Sequence, residues 1–271
     1  MKRPFNVLGI SFFFALLFPF LVFCTDCPSF GVIGDTKIGV VEAVYKQFLL
    51  KMRERNIGLI FITGDVIDRP GDENQWKRFI ELTGPDFTVH IAPGNHDINN
   101  YKSLNVYKEV VSKPPYYAFY EGDTHFIILC TEMPDEIGRI AGRQLTWLKE
   151  ELKRPFLYRF IFLHRPLFPC FGYGYCLDVY KDERDALHKL FVDSKVSAVF
   201  SGHEHLYNRS ERDKVTYIIT GGGGSRLLTF KEEYGGFFHY IVAKRTNGGY
   251  IFTVYDIDED IRDEFTIRAQ D

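Results

Sequence analysis

The pattern of apolar and polar positions alternates between short apolar runs and amphipathic segments. Residues 29–35, 57–65 and 87–97 contain continuous Val, Ile and Phe runs that are typical of buried strands. Between them, residues 38–56 and 72–83 repeat apolar side chains at helical spacing. Strands that are buried on both faces belong to parallel sheets covered by helices, so this βαβαβ beginning predicts such a sheet.

The rest of the chain predicts a second, β-rich layer. A hairpin is expected over residues 116–132, and a turn at 247–249 joins two late strands. Further strands are predicted at 158–164, 196–205, 215–221, 237–246 and 249–258, and helices at 143–154 and 182–194. The pattern shows no internal repeat and no linker, and it favours one α/β domain with two packed sheets and helices outside.

The N-terminal residues differ from this pattern. Residues 5–23 carry no charge, and two basic residues precede them. The segment lacks a good small-residue cleavage site, and it is just long enough to span a hydrocarbon core of ~30 Å. Residues 1–26 are therefore predicted to be a signal peptide or an N-terminal membrane anchor, with a lipid-modified Cys24 as a third alternative. Residues 27–271 would then form an extracytoplasmic domain, periplasmic or secreted.

Composition narrows the possible partners. The chain has 271 residues, of which 45% are hydrophobic, as in globular proteins. Its 33 basic and 36 acidic residues nearly cancel, so no nucleic-acid-binding patch is evident. Five cysteines are consistent with an oxidising compartment. Cys170 and Cys176 flank a glycine-aromatic loop that a disulfide could close, and Cys130 is interpreted as a buried thiol. The oligomeric state is not indicated.

Polar side chains follow five of the predicted strands. The endings are Gly34-Asp35, Gly64-Asp65, the stretch "PGNHD" at 93–97, His164, and the stretch "GHEH" at 202–205. One such ending is typical of a turn or a helix cap. Because the carboxyl ends of parallel strands share one edge of a sheet, five together predict a functional site.

The residue types at these strand ends indicate a transition metal. Asp, Asn and His supply mixed oxygen and nitrogen ligands suited to Zn, Mn or Fe. His203 and His205 lie two residues apart, so in an extended segment they point to the same side. Asp65 is the best candidate for a carboxylate that bridges two ions. Glu204 is expected to point away, toward supporting residues or solvent.

These segments resemble the calcineurin-like metallophosphoesterases, especially the purple acid phosphatase branch. The stretches "GDTK", "GDVID", "GNHD", "HRPLF" and "GHEHLYNR" occur in the family's order, over roughly residues 30–256. The resemblance implies a four-layer α/β/β/α sandwich of two mixed β-sheets flanked by helices. It also implies hydrolysis of a phosphate mono- or diester by a metal-activated hydroxide, with one or two divalent transition metal ions as cofactor.

The resemblance also implies roles for individual residues. One metal site would be formed by Asp35, Asp65 and His205, and the other by Asp65, Asn95, His164 and His203. His96 would act as general acid or as a group that stabilises the phosphate. Asp97 could orient the His96 imidazole.

Two positions depart from the family's pattern. Lys37 stands where many members have His and purple acid phosphatases have Gly, and Asp68 replaces a tyrosine. Three roles for Lys37 are open: a solvated residue beside a weakened pair of ions, a tethered cation that pairs with Asp35 or phosphate, or a neutral metal ligand. Asp68 is expected to pair with Arg69. We expect an active enzyme with a weak first metal; the alternative is a phosphoryl-ligand-binding pseudoenzyme that has lost one metal site.

Overall fold

A computed structural model of the protein describes residues 28–172 and 176–270. The predicted leader, residues 1–26 with the apolar segment 5–23, lies outside the described residues. Within the described ranges, every helix is too short or too polar to cross a membrane.

The described chain forms twelve strands and five α-helices. Strands β1 to β12 cover Phe30–Ile33, Leu59–Ile62, Thr88–Ile91, Tyr117–Glu121, Thr124–Ile128, Tyr158–Phe162, Ala198–Ser201, Tyr207–Arg212, Val215–Thr220, His239–Thr246, Gly249–Asp256 and Ile261–Ile267. Helices α1 to α5 cover Ala43–Glu54, Glu73–Thr83, Tyr101–Val111, Gly142–Glu151 and Lys181–Asp193.

The strands form two mixed sheets of six strands each. The first has the order β12-β11-β10-β1-β2-β3, and the second has the order β4-β5-β6-β7-β9-β8. Strands β1, β2 and β3 are parallel, as are β5, β6, β7 and β9. The carboxyl ends of each parallel set therefore share one edge of their sheet.

Aromatic side chains fill the space between the two sheets. The rings of Phe61 in β2 and Phe162 in β6 stack with centroids 4.0 Å apart and planes 3° from parallel. The ring centroids of Phe30 in β1 and Phe160 in β6 are 5.7 Å apart. Helices α1, α2 and α3 cover the outer face of the first sheet, and α4 and α5 cover that of the second. The predicted α/β/β/α sandwich is confirmed.

Three elements depart from the apolar pattern. Helix α3 was not predicted, although Asn100 and Ser103 form a capping box at its start. Strand β8 also lies outside the predicted strands, directly after the "GHEH" stretch. Strand β12 takes in part of the acidic stretch from Asp256 to Glu264, and it is an edge strand whose side chains are exposed or half-buried except for Ile267. Charged side chains are usual on edge strands.

None of the described cysteines forms a disulfide with another described cysteine. Cys130 is buried, as predicted. Cys170 is exposed and Cys176 is buried, and the structure has no disulfide between them.

Candidate metal centre

Strained backbone turns position the polar side chains at the strand ends. Asp35, Asp65 and His203 follow β1, β2 and β7 with φ values of 59°, 52° and 70°. A residue other than glycine adopts this left-handed region only where its surroundings hold it there. The Asp35 N–H donates to the Gly64 carbonyl at 2.9 Å, and the His203 N–H donates to Asp35 Oδ2 at 3.0 Å. The three loops therefore support one another.

Four side chains converge where β2, β3, β6 and β7 end. His164 Nε2 lies 3.2 Å from Asn95 Oδ1, 3.2 Å from His203 Nδ1 and 3.4 Å from Asp65 Oδ1. His164 Nδ1 donates to the Thr63 carbonyl at 2.8 Å. Because Nδ1 is held by this carbonyl, Nε2 faces the other three atoms.

This arrangement fits a transition metal ion. Ligand atoms held about 2.0–2.2 Å from an ion of this type lie roughly 3.3–3.5 Å apart around a tetrahedron. The separations around His164 Nε2 are 3.2 to 3.4 Å. Electron-rich oxygen and nitrogen atoms so close together repel unless a cation or proton lies between them. Asp65, Asn95, His164 and His203, which were predicted for the second metal site, are thus brought together.

Asp35, Asp65 and His205 form the other predicted group. Each offers one ligand atom, and these atoms lie within 4.8 Å of one another. Asp35 Oδ1 is buried and lies 3.3 Å from His205 Nε2; it has no hydrogen-bond partner of good geometry among the described residues. His205 Nδ1 donates to the Arg226 carbonyl at 2.8 Å. Burial lowers the pKa of His205, but the Asp35 carboxylate and the Arg226 carbonyl raise it above its usual value overall.

The Lys37 side chain contacts the group formed by Asp35, Asp65 and His205. Its Nζ donates to Asp65 Oδ2 at 2.9 Å, and the side chain is only 8% exposed. The expectation of a solvated surface residue is therefore wrong. The expectation of a tethered cation agrees with this geometry, except that the partner carboxylate is Asp65 and not Asp35.

Neighbouring positive charge keeps Asp65 ionised. Burial opposes ionisation, but His164, Lys37 and His96 outweigh it and hold the pKa of Asp65 well below its usual value. The backbone N–H of His96 also donates to Asp65 Oδ1 at 2.8 Å. A carboxylate is thus available at the junction of the two groups.

The His96 imidazole lies at the open side of the centre. Its side chain is 38% exposed, and its Nε2 is 3.9 Å from Asp65 Oδ2. Nδ1 donates to the backbone carbonyl of Asp68 at 2.5 Å. The predicted pairing of Asp68 with Arg69 is absent, because Arg69 pairs with Asp72 at 2.7 Å. Asp68 instead orients the His96 ring through its backbone.

Asp97 does not contact the His96 ring. Its carboxylate is fully buried and accepts the backbone N–H groups of Val66, Ile67 and Gly94 at 2.9, 3.2 and 2.9 Å. Burial, followed by the charge of Asp65, raises the pKa of Asp97 to about 7. The structure therefore gives Asp97 the role of joining the loops after β2 and β3, in place of the expected role in orienting His96.

Two buried carboxylates support the loops around the centre through contacts that the sequence does not predict. Glu204 is fully buried and accepts the backbone N–H groups of Cys170 and Phe171 at 2.6 and 2.9 Å, so of the two expected positions it takes the one toward supporting residues and not the one toward solvent. Glu132 forms a bidentate pair with Arg165, at 2.6 and 2.9 Å. The only sequence signal for this pair is that Arg165 directly follows His164.

The glycine run after β9 supports the loop that carries Asp35. The Gly223 N–H donates to the Gly34 carbonyl at 2.9 Å, and the Ser225 hydroxyl donates to the Asp35 carbonyl at 2.8 Å. A Cβ on Gly223 would lie 2.2 Å from the Gly34 carbonyl oxygen. The run is therefore needed for close backbone packing.

Two mixed sheets between helix layers, with Asp, Asn and His side chains joined at the strand ends, define a metallophosphoesterase domain. The chain belongs to the calcineurin-like phosphoesterase family, whose profile matches residues 28–207. The predicted family is confirmed.

The relatives extend the likeness to the purple acid phosphatase branch. The chain is 27% identical to purple acid phosphatase 5 of Arabidopsis thaliana, over 73% of this chain and 49% of that protein. It spans about half the length of the curated relatives it matches. The structure is similar to a purple acid phosphatase from yellow lupin, with a TM-score of 0.72, 18% identity and coverage of 89% of this chain and 53% of that one.

A second solved structure is similar over nearly its whole length. It is GAP50, described as the anchor in the inner membrane complex of Plasmodium, with a TM-score of 0.71, 14% identity and coverage of 90% of this chain and 89% of that one. At this identity the likeness shows the fold alone.

Proposed function

We propose that this protein hydrolyses a phosphate mono- or diester in a metal-dependent reaction. The observation that carries the proposal is the convergence of Asp65, Asn95 and His203 on His164 Nε2, within 3.2 to 3.4 Å. Family membership supports the same reaction class.

The residues of the centre would divide the chemistry. An ion such as Zn, Mn or Fe would polarise a phosphoryl oxygen and lower the pKa of a water molecule. His164 and His203 would bind it through neutral nitrogens and Asp65 through a carboxylate. His96 would donate a proton or a hydrogen bond to the substrate from Nε2, since Nδ1 is held by the Asp68 carbonyl.

Hydrolysis of two generic esters tests the proposal. The purified full chain would be assayed with p-nitrophenyl phosphate and bis(p-nitrophenyl) phosphate in buffers containing Zn, Mn or Fe(II). We expect turnover in at least one buffer and a loss of about 100-fold or more in His203→Ala. His188→Ala is the matched control, because His188 contacts Tyr217 and Asp213 on α5's side of the second sheet. Bound metal without turnover in every buffer would contradict hydrolysis.

That contradicting result would favour a second function. The Lys37–Asp65 ion pair, at 2.9 Å, lies where a second ion would need the Asp65 carboxylate, which favours a phosphoryl-ligand-binding pseudoenzyme. An anchoring role, which is the role named for the Plasmodium protein GAP50, would be consistent with it. Phosphate binding measured by calorimetry, together with absent turnover, would identify this case.

We also propose that the domain lies outside the cytoplasm, either released from or attached to a membrane through residues 5–23. The uncharged length of this segment and the two basic residues before it support the proposal. Mass spectrometry of the mature N-terminus after cell fractionation tests it: a cytoplasmic chain with an intact N-terminus would contradict it.

A further inference from the structure

Lys37 is held in place by the backbone on both sides of it. Its φ of 48° is in the left-handed region, and its N–H donates to the Asp65 carbonyl at 3.1 Å. The next residue, Ile38, donates to the Val66 carbonyl at 2.7 Å and forms a parallel bridge with Ile67. The segment after β1 is thus hydrogen-bonded to the segment after β2. This pairing places the Lys37 side chain next to Asp65.

The Lys37 ammonium is buried and paired with a buried carboxylate. The side chains of Lys37 and Asp65 are 8% and 3% exposed, and their charged atoms are 2.9 Å apart. A surface lysine keeps rotamer freedom and a hydration shell, whereas the buried and paired Lys37 side chain loses most of both. A buried ammonium is stable only when paired, so removing Asp65 or Lys37 alone would leave an uncompensated charge.

A metal ion in the group of Asp35, Asp65 and His205 would compete with this ammonium. The three ligand atoms lie within 4.8 Å of one another, and the only carboxylates among them are Asp35 and Asp65. An ion bound to Asp65 would be close to a positive charge attached to the same carboxylate, and like charges repel most strongly in a buried site. The group around His164 Nε2 uses Oδ1 of Asp65, the oxygen that Lys37 does not contact.

We propose that the Lys37 ammonium takes the charge role of a second metal ion, so that this centre works with one transition metal ion and one tethered cation. The proposal rests on the proposed function and specifies its cofactor requirement. The ion is held by Asp65, Asn95, His164 and His203. Lys37 neutralises the remaining charge on Asp65 and supplies a fixed positive charge beside the phosphoryl group.

Metal stoichiometry of the full chain tests the proposal separately from activity. The wild-type protein, Lys37→His and Lys37→Met would be loaded with Zn or Mn, freed of excess ion and measured by inductively coupled plasma mass spectrometry, with calorimetry for affinity. We expect one ion per wild-type chain and two per chain in Lys37→His, with the second ion binding at least about tenfold more tightly than to wild type. Asp35→Asn in the Lys37→His background should return the count to one.

Lys37→Met provides a second readout in case the imidazole introduced in Lys37→His does not reach the ion. This variant should lose turnover at one ion per chain and recover part of it as free metal is raised, whereas wild-type turnover should not rise with excess metal. Two tightly bound ions in the wild-type chain would overturn the Lys37 proposal and leave hydrolysis standing. The same proposal would be overturned if neither variant accepted a second ion. No ion in the wild-type chain would overturn the proposed function itself.

Discussion

At the scale of single residues, backbone carbonyls decide which nitrogen faces the centre in three of its histidines. His164 Nδ1 donates to Thr63, His205 Nδ1 to Arg226, and His96 Nδ1 to Asp68. In all three rings Nε2 is left for a ligand or a substrate. A contact of this kind fixes both the tautomer and the ring orientation, so the loops prepare the site before any ligand binds.

The position of His96 leads to a prediction about catalysis. Removing the ring in His96→Ala should lower kcat toward p-nitrophenyl phosphate by about 10²- to 10⁴-fold, because a positioned acid contributes that much. Metal content should stay at the wild-type value, since the ring is 3.9 Å from Asp65 Oδ2 and is not among the convergent ligands. Steady-state kinetics and metal analysis of the same preparation check both statements. An unchanged kcat would show that His96 does not act on the substrate.

The buried pair of Glu132 and Arg165 leads to a prediction about stability. The two side chains are 1% and 7% exposed and form two contacts. Glu132→Ala would leave the guanidinium buried without its carboxylate, which should lower the free energy of unfolding by about 3–5 kcal/mol. Urea unfolding measures this loss. Glu233→Ala, at an exposed carboxylate, is the control and should change the free energy by less than about 0.5 kcal/mol. Equal losses in the two variants would refute the assigned importance of the pair.

At the scale of elements, three histidines within strands carry lowered pKa values. Burial, reinforced by Lys113, lowers the pKa of His90 in β3 to about 3. Burial, reinforced by Arg159, lowers that of His125 in β5 to about 3. Burial lowers that of His239 at the start of β10 to about 4. All three are buried within the sheets, which gives them a structural role.

These strand histidines predict destabilisation by acid. Their folded pKa values lie below the ordinary value of 6.5, so the unfolded chain binds more protons once the pH falls below about 6.5. The contribution of these three histidines to stability should therefore be greatest above pH 6.5 and decline toward pH 3 to 4, by on the order of 1–2 kcal/mol per histidine at pH 5. Urea unfolding of metal-free protein at pH 7.5 and pH 5 measures the loss. His90→Phe, whose ring can stack on Phe119 as His90 does at 4.0 Å, should lose less, and identical losses would contradict the assignment.

The elements differ in how well the sequence could predict them. Continuous apolar runs such as 59–62 and 158–162 predict buried strands because both faces are covered. Strand β12 and helix α3 mix polar with apolar residues, so neither has a clear apolar pattern. Strand β12 forms because it lies at the sheet edge, and α3 begins at a capping box. Helix α1 begins at Ala43 and not at residue 38, because Ile38 pairs with Ile67 first. Tertiary pairing, which no local pattern contains, sets that boundary.

The same distinction applies to the site. The ligand candidates could be identified because each follows a strand whose carboxyl end lies at the shared edge. The partner of Lys37 and the role of Asp97 could not, since both depend on loops from different strands meeting in space. Asp97 accepts from Val66, 31 positions earlier in the chain. Spacing near the "GNHD" stretch gives no indication of that contact.

At the scale of the whole molecule, the parallel strands of both sheets place the metal ligands at one edge of the sandwich. The buried carboxylates of Asp35 and Asp65 make that active edge the part of the fold that depends on bound cations.

This dependence predicts that metal removal lowers the thermal stability of the whole domain. An ion at about 100 to 1,000 times its Kd stabilises the folded state by roughly 3–4 kcal/mol, since it binds the folded chain alone. For a domain of this size, each kcal/mol shifts Tm by about 2–4 °C. EDTA should therefore lower the wild-type Tm by roughly 6–16 °C in scanning calorimetry, and added Zn or Mn should restore it. His203→Ala should start near the EDTA-treated value and respond little to the chelator, because its loss removes one of the four convergent ligands. A wild-type Tm that EDTA leaves unchanged would mean that the edge is stable without an ion, and the ammonium of Lys37 would then be the only cation that its buried carboxylates require.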